Sequence, residues 1–198
     1  MARIGGLLDP EFLRTRPDIA AMRLLGKVIL NTGINVAGVI VEVEPYFGPE
    51  DPASRARRGG DLARTMLSEP CTALVYGVHR QWLLNVVAHE DSVPGAVLIR
   101  AVVPVNPSSG EILGKPILGP GRVTRYLGVD KTLHKQFLCC KDCKVQLRSF
   151  LDVGEDCILK SNRIGVREDL PYPLNFKFSC FERLEGSSTS PMKRIRKV

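Results

Sequence analysis

The segment from Ile40 to Ser54, IVEVEPYFGPEDPAS, constrains the fold more than any other part of the chain. Its first half alternates aliphatic residues with glutamates, and a period of two is typical of a β-strand. Charged side chains on such a strand are costly to bury unless they are paired or take part in chemistry. We therefore expect the valines from 39 to 43 to point into the core, and Glu42 and Glu44 to share the opposite face.

Pro45 and Tyr46 follow Glu44 directly. Proline lacks the amide hydrogen that a sheet uses, so we expect Pro45 to end the strand and Tyr46 to lie at its exit. A carboxylate beside an aromatic ring forms a pocket with a base and a flat stacking surface, which suits a nucleobase. The alternative is an exposed edge strand whose glutamates deter aggregation, and this segment alone does not separate the two.

The chain of 198 residues carries a formal net charge of +7, and its hydrophobic content of 44% is enough for a substantial core. This length fits one domain. The basic excess predicts a polyanionic partner, most commonly nucleic acid, although the same charge also serves solubility. We place the folded domain at residues 1–186 and expect the basic segment 187–198 to be a disordered tail with affinity for phosphates.

Six cysteines are present, three of them in the segment CCKDC (139–143). The first residues lack the apolar stretch of a secretory signal, and no run reaches the roughly 18 apolar residues of a membrane span, so we expect a cytosolic or nucleoid protein. In those compartments thiols are the rule, and we expect thiols here rather than disulfides. A zinc site needs about four ligands, of which one CxxC pair supplies two, so metal is the weaker alternative.

Helix and strand signals are interspersed without a regular βα alternation. Residues 49–70 are predicted to form an irregular polar loop with a basic rim. Trp82 is predicted to be a core residue, because it alternates with aliphatic neighbours along its strand. Helices are predicted after Asp9, Pro17 and Gly119, and strands over 27–30, 37–44, 72–78, 82–88, 96–103 and around 163–166. This pattern predicts an α+β fold: a single domain with a curved antiparallel β-sheet and surrounding helices.

Several motifs stand in a characteristic order: LLGKVI (24–29), VEVEPYFGPEDPAS (41–54), ARTM (63–66), LLNVV (83–87), AVLIRA (96–101), GPGRVTRYLGVD (119–130) and RIGV (163–166). Together they resemble the alkyladenine (3-methyladenine, methylpurine) DNA glycosylase family over residues 9–178. The resemblance implies one mixed α/β domain that flips a damaged purine nucleotide out of duplex DNA and hydrolyses its N-glycosidic bond. It implies neither a metal nor an organic cofactor.

The same resemblance implies roles for single residues. Glu44 is the general base that activates the attacking water, and Arg100 helps to hold the water and the nucleotide. Tyr46 stacks on the flipped base, while Asn85 excludes normal guanine by crowding its 2-amino group. The chemistry agrees, since water is a poor nucleophile and the sugar becomes cation-like in the transition state. No lysine is indicated as a Schiff-base nucleophile, so a monofunctional hydrolysis is expected.

The chain departs from the family pattern at the pocket and in the loop before ARTM, which is shorter than usual. Arg55 stands where family members usually have histidine, and arginine can also stack on a base. Tyr76 is the only tyrosine in TALVYGVHRQWLLN, where the family has one tyrosine that stacks on the base and another that wedges into the DNA. We assign Tyr76 to one role, and Val78, His79 or Arg80 to the other. The residues predicted to contact DNA are Arg57, Arg58, Arg64, His79, Arg80 and Arg122.

These residues predict a monofunctional DNA glycosylase that starts base excision repair by removing alkylated purines, with deaminated and etheno purines as further substrates. Its partner is double-stranded DNA containing damaged purines, and we expect a monomer that binds no membrane, metal or cofactor. Arg55 and the missing tyrosine favour an alternative, a non-catalytic binder of damaged or distorted DNA on the same fold. A third hypothesis is a thiol- or zinc-dependent interaction module built around CCKDC.

Overall fold

The computed structural model describes residues 3–180. Its centre is the strand predicted from the alternating segment, β2 (Val36–Tyr46), which pairs along one edge with β5 (Ala96–Val105). On the other edge, β2 pairs first with β1 (Val28–Asn31) and further along with β9 (Asn175–Phe178). The register with β5 is irregular around Glu42, as in a β-bulge, which re-aims side chains at that point.

The remaining strands extend the same sheet: β3 (Ala73–Val78), β4 (Gln81–Val87), β6 (Ile117–Leu118), β7 (Val145–Arg148) and β8 (Ile158–Ser161). The central path of this nine-stranded sheet runs β3–β4–β5–β2–β1–β7, with β6 beside β5 and β8 beside β9. All of these pairings are antiparallel. The sheet is curled like half of a barrel, which confirms the predicted α+β domain with one curved antiparallel sheet.

In residues 3–180, three short α-helices accompany the sheet: α1 (Pro17–Leu24), α2 (Gly60–Thr65) and α3 (Pro120–Tyr126). Proline at the first turn of α1 and of α3 suits a position whose N–H has no intrahelical partner. The side chains of Asp9 and Asp130 each accept a backbone N–H group at the start of a 3-10 helix, and the helix predicted after Asp9 is one of these two. Within the described residues, no helix has the length and apolar character to cross a membrane.

Strand β2 lies inside the sheet and not at its edge, so the alternative of an exposed edge strand is wrong. The strand is buried from Ala37 to Pro45. Glu42 and Glu44 do share a face, because both contact the side chains of Arg100 and Asn175. Two carboxylates are therefore held inside the protein, where each needs partners.

Pro45 does not end the strand, contrary to the sequence-based expectation. It pairs with Val97, and Tyr46 pairs with Ala96. The β1 and β9 pairings of β2 end before this point, so within residues 3–180 this part of β2 has a neighbour on one edge only. A missing amide hydrogen is tolerated at such a position.

Three local predictions are corrected in the same way. Residues 49–70 are partly helical, since they contain a 3-10 helix (Arg55–Arg58) and α2. Residues 163–166 form a loop between β8 and β9. Trp82 is 36% exposed and not a core residue, because the pairing of β4 with β5 begins only at Asn85 and leaves the hairpin end uncovered.

The prediction of free thiols is wrong. The six cysteines form three disulfides, Cys71–Cys139, Cys140–Cys143 and Cys157–Cys180. Backbone pairing of Leu138 with Cys71 brings the first pair together across 68 residues of sequence, which local spacing does not reveal. The CxxC cysteines are bonded to each other, so they are not thiolate ligands as the zinc hypothesis required. The proposed tail (187–198) and the domain end at 186 lie outside the described residues.

Candidate active site

A cavity of about 1050 Å³ lies at the end of β2. Its walls come from the segment after β2, the β3–β4 hairpin, the start of α3 and the loop at 164–168. The charged side chains that line it are Arg55, Arg58, Arg100, Arg122, Arg167 and Glu168. This excess of arginine favours an anionic ligand.

Glu44 lies next to this cavity and is itself fully buried. Its Oε1 accepts hydrogen bonds from the backbone N–H of Ile164 at 2.8 Å and from Asn175 Nδ2 at 2.9 Å. Its Oε2 accepts the Tyr46 hydroxyl at 3.0 Å and Arg100 Nη1 at 3.2 Å. A carboxylate offers about four lone-pair positions, and all of them are occupied here.

Glu42 completes a buried cluster with Glu44. Arg100 donates from Nε to Glu42 at 3.3 Å as well as from Nη1 to Glu44, and Asn175 Nδ2 donates to Glu42 at 2.8 Å. Lys177 Nζ lies 3.8 Å from Glu42. Glu42 is therefore a structural partner of Arg100 and Asn175.

Behind Tyr46 lies a second charged group. The Arg163 guanidinium stands 4.5 Å from the centre of the Tyr46 ring and donates to both oxygens of Asp51 at 2.7 Å. It also bonds Asp169, at 2.6 and 2.9 Å, and the Pro45 carbonyl at 3.0 Å. Arginine stacked on an aromatic face fixes the plane of the ring, so Tyr46 is held from behind.

The protonation states of Tyr46 and Asp51 are determined by their burial and by the groups that they contact. Burial, and then the neighbouring Glu44 carboxylate, raise the pKa of Tyr46, so its hydroxyl remains a donor. Burial alone would raise the pKa of Asp51, but hydrogen bonds from Arg163 and from two backbone N–H groups outweigh it and lower that pKa. Asp51 is therefore ionised opposite a charged Arg163.

Tyr76 and Arg55 form another part of the cavity wall. The Arg55 guanidinium lies 4.9 Å from the centre of the Tyr76 ring, which is cation–π geometry. The residue that replaces the expected histidine is thus stacked on the tyrosine of the β3–β4 hairpin. Both remain on the cavity surface, where a planar ligand can reach them.

Asn85 lies in one row with Glu44, because Asn85 pairs with Leu98 and Leu98 pairs with Glu44. Its side chain is buried and donates to the Leu74 carbonyl at 3.1 Å. Leu98 lines the cavity, whereas Asn85 is not among the lining residues of the described chain. The asparagine is therefore buried next to the lining residue Leu98.

The predicted DNA-contacting residues fall into two groups. Arg58, His79 and Arg122 line the cavity. The others, Arg57, Arg64 and Arg80, are exposed but are not among its lining residues in the part of the chain that is described. His79 and Arg80 have φ of 48° and 60° at the tip of the two-residue hairpin, as a type I′ turn requires.

Comparison with known proteins agrees with this geometry. The family model for methylpurine-DNA glycosylase matches residues 11–180. A relative from Aeropyrum pernix, whose assigned name is that of a 3-methyladenine DNA glycosylase, is 41% identical over 192 residues, covering 95% of this chain and 97% of its own. The chain belongs to the methylpurine-DNA glycosylase family.

Relatives with the same assigned name come from Listeria. The protein of Listeria monocytogenes is 33% identical over 194 residues, with 89% of this chain and 88% of its own covered, and that of Listeria welshimeri is 32% identical over 187 residues, with 85% and 84% covered. As a methylpurine-DNA glycosylase, the chain is a hydrolase that acts on DNA in repair and excises alkylated purine bases. Among the described residues of this glycosylase, no group of three or more His, Cys, Asp or Glu is placed to hold a metal.

Sequence reasoning missed residues that hold the site of this glycosylase together: Ile164, Asp169 and Asn175, and the pairing of Asp51 with Arg163. Arg163 begins the motif RIGV, and Asp51 belongs to GPEDPAS, so both stand in motifs that carry the family resemblance. Their partnership spans 112 positions, however, and no local pattern signals it. Asn175 had no signal beyond its place in a short apolar strand.

Proposed function

We propose that this chain flips an alkylated purine out of duplex DNA and hydrolyses its N-glycosidic bond with Glu44 as the general base. The observation that carries the proposal is the environment of Glu44 Oε2. This oxygen is bonded by Tyr46 and Arg100, both of which line the cavity, although Glu44 itself is fully buried. The Oε2 atom of Glu44 is therefore separated from a ligand in the cavity only by Tyr46 and Arg100.

Activation of water requires one of the four hydrogen bonds to Glu44 to open, because no lone pair is otherwise free. The Tyr46 hydroxyl is the donor that we expect to leave, since the ring lies on the cavity wall where the flipped base stacks. Water then bonds Oε2, and Arg100 keeps the charge of the carboxylate balanced. The negative charge of the carboxylate also stabilises the cation-like sugar.

Recognition of the purine falls to the aromatic residues of the wall. Tyr46 and Tyr76 offer stacking faces, and Arg55 adds a planar cation. Asn85, by resemblance, disfavours normal guanine, and it lies buried next to the lining residue Leu98. The volume of about 1050 Å³ is ample for an enlarged ring, so we extend the proposal to etheno and deaminated purines.

Duplex binding falls to the basic residues around the cavity, namely Arg57, Arg58, Arg64, His79, Arg80 and Arg122. Contacts of this kind go mainly to phosphates and set the register of the protein on DNA. The tip of the β3–β4 hairpin, with His79 and Arg80 exposed, is the part that we propose enters the gap left by the flipped base. Because one chain supplies the whole cavity, we propose that the protein acts as a monomer.

The test is the change Glu44→Gln, which keeps the shape of the side chain and removes the base. Single-turnover excision from a duplex with one alkylated purine should fall by at least about 10²–10⁴-fold, while binding of the same duplex persists. The matched control is Glu42→Gln, since Glu42 has the same partners Arg100 and Asn175. It should lose far less activity.

Equal excision by Glu44→Gln and the wild type would refute the mechanism. A wild-type protein that binds alkylated duplexes and excises nothing would instead support the non-catalytic binder.

A further inference from the structure

Asn175 holds both buried glutamates at once. Its side chain is fully buried, and its Nδ2 donates to Glu42 Oε1 at 2.8 Å and to Glu44 Oε1 at 2.9 Å. Carboxylate oxygens only accept, so the nitrogen of the amide must face them. Continuing the β2–β9 register by one residue places Asn175 opposite Glu44. The residue is an uncharged clamp between two carboxylates.

The absence of charge on this clamp matters for a base. Two carboxylates close together repel one another, and Arg100 offsets this from 3.2 and 3.3 Å. A second cation in the position of Asn175 would form an ion pair with Glu44 and weaken it as a proton acceptor. The amide supplies one donor to each glutamate and adds no charge to the cluster.

The clamp also decides which oxygen meets the cavity. Oε1 of Glu44 is held on both sides from the interior, by Asn175 and by the backbone N–H of Ile164. Oε2 is held by Tyr46 and Arg100, which line the cavity. Rotation of the carboxylate would break both interior bonds, so the two oxygens are not equivalent.

We propose that Asn175 is a positioning residue for the glycosylase reaction: it fixes Oε1 of Glu44, so that Oε2 receives the proton of the attacking water. In this step the water oxygen bonds to the anomeric carbon, and its proton passes to Oε2. The bond from that carbon to the purine nitrogen breaks, and its electron pair leaves with the purine. The proposal rests on the role of Glu44 given under Proposed function.

The experiment compares Asn175→Ala with the wild type on a duplex containing one alkylated purine. The single-turnover excision rate at saturating enzyme should fall by about 10- to 100-fold, because a reacting group that loses its orientation by even about 1 Å can lose that much rate. The Kd of the duplex should stay nearly unchanged. Asn175→Ser retains one donor and should show an intermediate loss; it also serves if the alanine variant does not fold.

A double-mutant cycle separates positioning from a general structural role. In a Glu44→Gln background, Asn175→Ser should cause no further loss of rate, because the positioned group is gone. The control is Asn31→Ser at another fully buried asparagine, whose Nδ2 donates to the Leu127 carbonyl at 2.8 Å away from the cavity. It should lower the thermal midpoint and leave the rate of the folded enzyme unchanged.

Wild-type rates in the folded Asn175 variants would overturn the proposal, as would an equal fold-loss with and without Glu44. Full activity of Glu44→Gln would refute the function proposed for Glu44 itself, so the two failures are distinguishable.

Discussion

Arg100 and Arg163 are both largely buried and each is paired with two carboxylates, yet their donors are used differently. Arg163 uses all of its N–H groups on Asp51, Asp169 and the Pro45 carbonyl, at 2.6 to 3.0 Å. Arg100 makes longer bonds, 3.3 Å to Glu42 and 3.2 Å to Glu44, and it lines the cavity.

The difference assigns the two arginines to different tasks. A guanidinium carries five N–H donors. Those of Arg163 are all bonded inside the protein, where they fix the back of Tyr46 and the loop that carries Ile164. Within the described residues, Arg100 donates only from Nε and Nη1, so its remaining donors are available to a ligand in the cavity. The same type of side chain stabilises the structure in one case and is placed to bind a ligand in the other.

The largest effect should come from Arg163→Met. This change leaves Asp51 without its buried partner, and breaking a buried pair in this way costs about 3–5 kcal/mol. We expect the free energy of unfolding, measured by urea denaturation, to fall by that amount. Arg167→Met, at an arginine in the same loop, is the control and should change stability little. If Arg163→Met loses no more stability than the control, Arg163 does not stabilise the fold.

Arg100→Met should show the opposite balance. Single-turnover excision should fall by about 10²–10³-fold, the loss typical of removing a preorganised donor at a reacting centre. Its loss of stability should be smaller than that of Arg163→Met, because its bonds are longer and Asn175 still holds both glutamates. Arg100→Lys, which keeps the charge but not the fork of donors, provides the intermediate case. A variant that is unstable yet fully active per folded molecule would erase the contrast.

The two arginines also mark how far sequence reasoning reached. The position of Arg100 at the cavity was predictable, because VLIRA is a continuous strand motif that belongs to the family resemblance; its role in the reaction stays a prediction. Glu44 and Tyr46 were predictable for the same reason. Arg163 stands in a motif just as recognisable, but its task depends on Asp51 and Asp169 meeting it from other segments. A structural role that depends on contacts between distant segments cannot be identified from a local sequence pattern.

The same limit explains the errors in the fold. Strand positions followed from hydrophobic alternation, and the α+β class followed from their order. Three other features depend instead on which segments of the chain become neighbours in the fold. These are the place of Pro45 within β2, the exposure of Trp82 and the Cys71–Cys139 disulfide. The disulfides were missed because the prediction applied a general rule about compartments, whereas the pairing of cysteines depends on contacts between distant segments.

The smallest effect, and the one that tests the electrostatics of the Arg163 site directly, is the pH dependence of Asp51→Asn. At neutral pH the variant should be less stable than the wild type by about 1–3 kcal/mol, because a charged hydrogen bond to buried Arg163 is lost while Asp169 remains.

The pKa of Asp51 is lowered in the folded state, so its contribution to stability is full above the unfolded-state pKa of about 3.9. It is lost as pH falls through the lower folded-state pKa. The stability difference between wild type and variant should therefore shrink in urea titrations below about pH 4, since a protonated Asp51 and the uncharged amide that replaces it then resemble one another. A difference that stays constant into acid would mean that the charge of Asp51 contributes nothing, and that Arg163 is held by shape and by Asp169 alone.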